Sequence, residues 1–179
     1  MQRRPNDELI LTGVLSPWTS YFVVEMSSLE LKIPPPVILA FCGALAWVAA
    51  KFVATPFDVR GMPTTIIAIF LVALAIALAT HAILAFRRAE TTIDPTKPDD
   101  SSSLVTHGVF RFTRNPMYLS LLLLLTGWVV YLGSVVAIAA LFLFVAYVNR
   151  LQIRAEERIL TAKFGEAYLA YCAEVRRWI

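Results

Sequence analysis

The sequence predicts an all-α integral membrane protein. It should hold about four transmembrane helices, the last two a tight hairpin, and a cytosolic C-terminal helical tail. Three observations predict this. The 179 residues are 58% apolar and only 16% charged, with a mean hydropathy of +0.67, whereas globular proteins are roughly a quarter charged. The apolar residues fall in long runs rather than at helical or strand period. Finally, the basic residues gather on one side of any membrane threading of those runs.

Residues 1–33 are a mixed N-terminal extension, interfacial or disordered; Trp18, Tyr21 and Phe22 would supply an interfacial face. With Asp7, Glu8, Glu25 and Glu30 ahead of the first apolar run, no cleavable signal peptide is expected. Pro34-Pro35-Pro36 makes a stiff lead-in, since proline is tolerated only in the first turn of a helix.

The first span is expected at about 37–54, with Trp47 near one end and Lys51 free to snorkel. A turn-rich loop follows, Thr55-Pro56-Phe57-Asp58-Val59-Arg60-Gly61-Met62-Pro63. The second span, 64–86, is the clearest; His81 is its one ionisable residue and Arg87-Arg88 stop it. Residues 89–105 are polar, with two prolines and a serine run, and read as a loop. Spans at 117–132 and 135–148 are each short and read as a tight hairpin turning at Gly133-Ser134, with one long kinked helix as the alternative. The tail, 149–179, is charged and amphipathic, with a helix stop at Phe164-Gly165 and a second short helix at about 166–175.

This threading puts Arg3, Arg4, Lys32, Arg87, Arg88, Lys97, Arg111, Arg114, Arg150, Arg154, Arg158, Lys163, Arg176 and Arg177 on one face. Lys51 and Arg60 are left on the other, so fourteen of the sixteen basic residues share a side. Both termini are therefore expected in the cytoplasm. A net charge of +3 without a dense basic run makes nucleic acid no expected partner. Cys42 and Cys172 have no metal-ligand spacing and are expected to be free thiols, so no metal is expected.

One polar stretch stands apart: Leu104-Val105-Thr106-His107-Gly108-Val109-Phe110-Arg111-Phe112-Thr113-Arg114-Asn115-Pro116-Met117-Tyr118. Asn115-Pro116 is how a helix begins in any case, with Asn as cap and Pro in the first turn. Arg111 and Arg114 are equally explained as anchors, and Tyr118 as an interfacial ring. Against that plain reading, His107-Gly108 beside cations and a helix N-terminus offers donors to an anionic group such as a carboxylate. In the tail, Glu156-Glu157 can be ordinary surface pairing or a seat for an ammonium. Taken together, the residues describe a cytosolic-face pocket that presents Arg and Glu to a zwitterion beside apolar walls.

The stretch resembles the signature of the isoprenylcysteine carboxyl methyltransferase and phospholipid methyltransferase group. The tail follows suit with Glu156-Glu157, Leu160, Phe164-Gly165, Tyr168, Tyr171 and Val175-Arg176-Arg177 in the same order. Two ordered motifs over most of the chain from about Leu31 onward are more specific than either alone. The resemblance implies a membrane methyltransferase domain over 34–179, using S-adenosylmethionine on a lipophilic small molecule or lipid. It is closest in kind to small prokaryotic members, which implies a bacterial inner membrane. Carried over by position, His107, Gly108, Val109, Arg114, Asn115, Pro116, Tyr118, Glu156 and Glu157 would bind the cofactor. Arg114, Glu157 and Arg176 would lie near the reacting group. Asn115 stands where eukaryotic relatives commonly have His, which removes a titratable group. Two other readings remain: a sterol-reductase-like enzyme using NADPH, similar in its C-terminal core, and a non-catalytic small membrane subunit.

Overall fold

A computed structural model describes residues 30–53, 55, 57–89 and 103–179, and among these residues the protein is all helical. The expectations for Trp18, Tyr21 and Phe22, and most of the 89–105 loop, lie outside them. Helix α1 runs Pro35–Phe52, α2 Met62–Arg88, α3 Pro116–Leu132, α4 Ala139–Tyr147, α5 Arg154–Phe164 and α6 Glu166–Glu174. A short 3-10 turn, Gly108–Arg111, precedes α3.

Three helical stretches are long and apolar enough to cross a membrane, namely Pro35–Phe52, Met62–Arg88 and Val136–Phe164; the apolar α3 is shorter at 17 residues. The expected break between a fourth span and a tail at residue 149 is absent. Val136–Phe164 is one continuous rod of 29 residues, because no Gly or Pro interrupts it. Instead the rod widens into a π turn over Val148–Ile153. The chain segment before α1 crosses there: Leu31 N donates to Leu151 O at 3.2 Å, and Gln152 Nε2 donates to Ile33 O at 2.8 Å.

Packing follows small residues. α2 buries Ala68, Ala75 and Ala82, spaced by seven, and packs most extensively on α3. A Cβ on Gly127 of α3 would lie 3.2 Å from Ala68 O, so glycine lets the backbones close without help from an aqueous hydrophobic effect. α1 contributes Ile38, Cys42 and Ala46 to a core with Leu125, Val129, Ala140 and Phe144. The outward face of α2, with Ile66, Ile69, Phe70 and Ile76, stays exposed, as a lipid-facing helix should.

Two glycines shape the reversals. Gly133 ends α3 at φ +60°, and an added Cβ would collide with the Val59 carbonyl. The hairpin turn expected at Gly133-Ser134 is thus where the chain reverses. The 53–61 loop is stitched to it: Val59 N donates to Gly133 O at 2.9 Å and Val135 N to Asp58 Oδ1 at 3.1 Å. Arg60 Nε donates to Leu132 O at 2.8 Å. Gly165, at φ +53°, separates α5 from α6 where the stop was expected. Cys42 and Cys172 are free thiols.

Candidate active site

At the opposite end of the bundle from Gly133, a cavity of about 310 Å³ opens between the starts of α1 and α3, the end of α2, and α5 and α6. Phe86, Leu121 and Leu160 are among its apolar walls; Arg114, Tyr118, Glu156 and Glu157 form its polar end. The 3-10 turn, the Asn-Pro step and the C-terminus build that end together.

The C-terminal residues strap the Asn-Pro step in place. Arg114 N donates to Arg176 O at 3.0 Å, Asn115 Nδ2 to Arg177 O at 2.9 Å, and Thr113 Oγ1 to Arg177 O at 3.3 Å. Asn115 occupies the cap position of α3 but its side chain makes no cap bond; the expected capping role gives way to this tie. Trp178 Nε1 secures the strap's end on Asn149 Oδ1 at 3.1 Å. Tyr171 OH, donating to Phe110 O at 2.7 Å, fixes α6 under the 3-10 turn. Burial pushes the Tyr168 and Tyr171 hydroxyls well above the ordinary tyrosine range, so both stay neutral donors.

The two glutamates have different company. Glu157 faces two guanidinium groups: Arg177 Nε donates to Oε1 at 3.0 Å with a second Arg177 nitrogen on Oε2. Arg114 Nη2 lies 3.3 Å from Oε1. The hydrogen bonds that Arg177 donates to Glu157 hold its guanidinium above its ordinary value. Glu156 instead accepts the hydroxyl of Tyr118, a ring only 4% exposed. Arg114, whose Nη1 touches Cys172 Sγ, keeps its Nε buried without a hydrogen-bond partner.

Of the residues singled out from sequence, Arg114, Asn115, Pro116, Tyr118, Glu156 and Glu157 line this one cavity. His107, Gly108 and Val109 do not. His107 and Gly108 are exposed, so His107 is not placed to stand in for a histidine at position 115. Val109 packs beside Ala82, Ala85 and Phe110. Arg176 does not line it either: its side chain is exposed, and the neighbouring Arg177 makes the ion pair with Glu157. The strap is extended, with Val175 at φ −118°, ψ 132°, so alternate side chains share a side. Buried Val175 therefore puts Arg177, not Arg176, inward, and the apolar parity of that position was the available signal. The lining by Pro35 and Pro36 had no such signal.

Residues 63–167 match the model of a known family, that of the phospholipid methyltransferases. The chain belongs to the phospholipid methyltransferase family. The matched segment holds the Asn-Pro step and both glutamates and stops short of the Arg177 strap. Membership brings methyltransferase activity on membrane substrates. The chain is also similar to an uncharacterized protein of Haemophilus influenzae, 44% identical over 63 residues. That stretch is 35% of this chain and the whole of the relative. No solved structure matches the chain.

Proposed function

We propose that this phospholipid methyltransferase family member transfers a methyl group from S-adenosylmethionine to a lipophilic nucleophile, a carboxylate, amine or thiol, at the cytosolic membrane face. The observation that carries the reading is the polar end of the cavity, where acids and a guanidinium of opposite sign meet at the edge of apolar walls. A zwitterionic amino-acid group fits there. Glu156, bonded among the described residues to a neutral hydroxyl, is the carboxylate left for an ammonium. The Arg114 guanidinium, whose side chain lines the cavity, is the cation offered to a carboxylate.

The donor, when bound, supplies an electrophilic methyl on a sulfonium. The chain's own residues then do the positioning. Glu157, gripped by Arg177, holds the Arg114 guanidinium in place; Tyr118 orients Glu156; Phe86, Leu121 and Leu160 receive an apolar acceptor and keep water away. Fixing two reactants in line is where such a site gains much of its rate. In this reading residues 34–179 are the methyltransferase domain, 1–33 an extension, and both termini face the cytoplasm of a bacterial inner membrane.

The test is calorimetry on the full chain in detergent with S-adenosylhomocysteine and, in parallel, NADPH. Binding of the first with no heat from the second is expected. Binding of NADPH alone would favour a reductase, and no binding of either would favour a non-catalytic subunit.

A further inference from the structure

The bundle end around Gly133 holds a second cavity, of about 390 Å³, between the last turn of α1, the start of α2 and the end of α3. Lys51 and Arg60 both line it. By the charge count these are the two basic residues set against fourteen on the other face. Cations on that side work against the usual insertion bias, yet both converge on one hollow.

Each is held in place by neutral groups. Lys51 Nζ lies 4.9 Å from the Trp47 ring centroid and 5.8 Å from that of Phe52, a cation–π seat rather than an ion pair. Arg60 gives Nε to Leu132 O at 2.8 Å and one terminal nitrogen to Ala50 O at 3.2 Å. A guanidinium carries five N–H groups, so donors remain. Neither cation has an ion-pair partner among the described residues. Asp58, the acid of the same loop, attracts Arg60 at longer range, but its oxygens are hydrogen-bonded to the Thr55 amide and hydroxyl and to Val135 N. Tyr131 and Trp47 on the rim are the ring types that settle at the headgroup level of a bilayer.

We propose that this cavity binds a phosphate group, presented by an anionic phospholipid headgroup, with Lys51 and Arg60 as its ligands. Two cations with no carboxylate within ion-pair distance among the described residues are matched by a group bearing negative charge on several oxygens. The aromatic rim places that group where headgroup phosphates lie. The inference is independent of the methyl-transfer reading, because no residue of the candidate active site takes part.

The experiment uses the full-length protein in detergent, titrated separately with dihexanoyl-phosphatidylglycerol, dihexanoyl-phosphatidylcholine and inorganic phosphate, and reads affinity by calorimetry. Phosphatidylglycerol should bind more tightly than phosphatidylcholine. Lys51→Gln should weaken it roughly tenfold, the scale of one charge-assisted contact, and Lys51→Arg should restore most of the loss. Lys51 is the residue to change because Arg60 also ties the loop to α1 and α3. Inorganic phosphate binding as tightly as phosphatidylglycerol, with the same Lys51 dependence, would keep the phosphate site and assign it to soluble phosphate. Arg88→Gln, which removes an exposed cation at the other end of α2, is the control for general attraction to anionic lipid. Unchanged affinity in Lys51→Gln, an equal loss in Arg88→Gln, or no binding of any probe overturns the proposal.

Discussion

The two ends of the helical bundle handle charge in opposite ways. Around Pro116, acids and bases are gathered on one another: Arg114 and Arg177 on Glu157, Tyr118 on Glu156. Around Gly133, two cations sit on rings and carbonyls, with no ion pair to an acid among the described residues. A mixed-sign cluster beside an apolar cavity fits a zwitterion, whereas unpaired cations at an interface fit an anion. The contrast also extends to packing. A Cβ on Gly133 meets the Val59 backbone, but a Cβ on Gly108 near the first cavity meets nothing within 4 Å. One end is closed by backbone contact; the other leaves room.

Substituting those glycines gives the largest expected contrast. Both have positive φ, +60° for Gly133 and +64° for Gly108, so alanine strains either by about 1–2 kcal/mol. Only at Gly133 does a steric collision add to that strain, for a total of roughly 2–5 kcal/mol. Thermal unfolding in detergent should therefore show a much larger midpoint drop for Gly133→Ala than for Gly108→Ala. Equal drops would remove the packing difference between the ends.

Next in size are the glutamates. Glu157→Gln should weaken S-adenosylhomocysteine binding by about 1–3 kcal/mol, the scale of a lost charge-assisted hydrogen bond. It should also loosen the C-terminal strap, read as faster carboxypeptidase trimming. Glu156→Gln should weaken binding by a similar amount and leave trimming unchanged, since Glu156 holds no strap residue. If both variants trim alike, the division of labour between them is wrong.

A smaller effect separates the adjacent arginines. Arg177→Ala should accelerate trimming and lower the unfolding midpoint, whereas Arg176→Ala should stay within about 0.5 kcal/mol of the parent, as exposed substitutions do. Smallest is Asp58. Hydrogen bonds from Thr55 hold its carboxyl below the ordinary aspartate value. A depressed folded-state value means that its contribution is present above the unfolded value, near pH 4, and fades as pH falls through the folded one. Asp58→Asn should flatten the midpoint-versus-pH curve below about pH 4 and leave it nearly parallel above.

Much of this was legible in the chain itself. The apolar runs marked the helices at 37–54, 64–86 and 117–132, Gly133 and Gly165 marked the reversals, and ordered motifs brought Arg114, Tyr118 and Glu157 together. Two kinds of feature were not legible. The rod past Val148 looked like a new element because the composition changes there, yet a change of polarity does not stop a helix; only a breaker or a lost hydrogen bond does. The facing of Arg176 and Arg177 depends on a two-residue register, which adjacent identical side chains conceal. His107 looked functional by neighbourhood in sequence, and the turn at Gly108 carries it outward instead.

The unbroken rod also has a mechanical consequence. Glu156 lies twenty residues beyond Val136, roughly 30 Å along the axis at helical rise. A pivot of only about 5° at the Gly133 turn would carry its carboxylate roughly 2.5 Å, about the length of a hydrogen bond. The helix is thus a lever arm, and the stitches that Asp58 and Arg60 make across its fulcrum set how precisely its far tip is aimed.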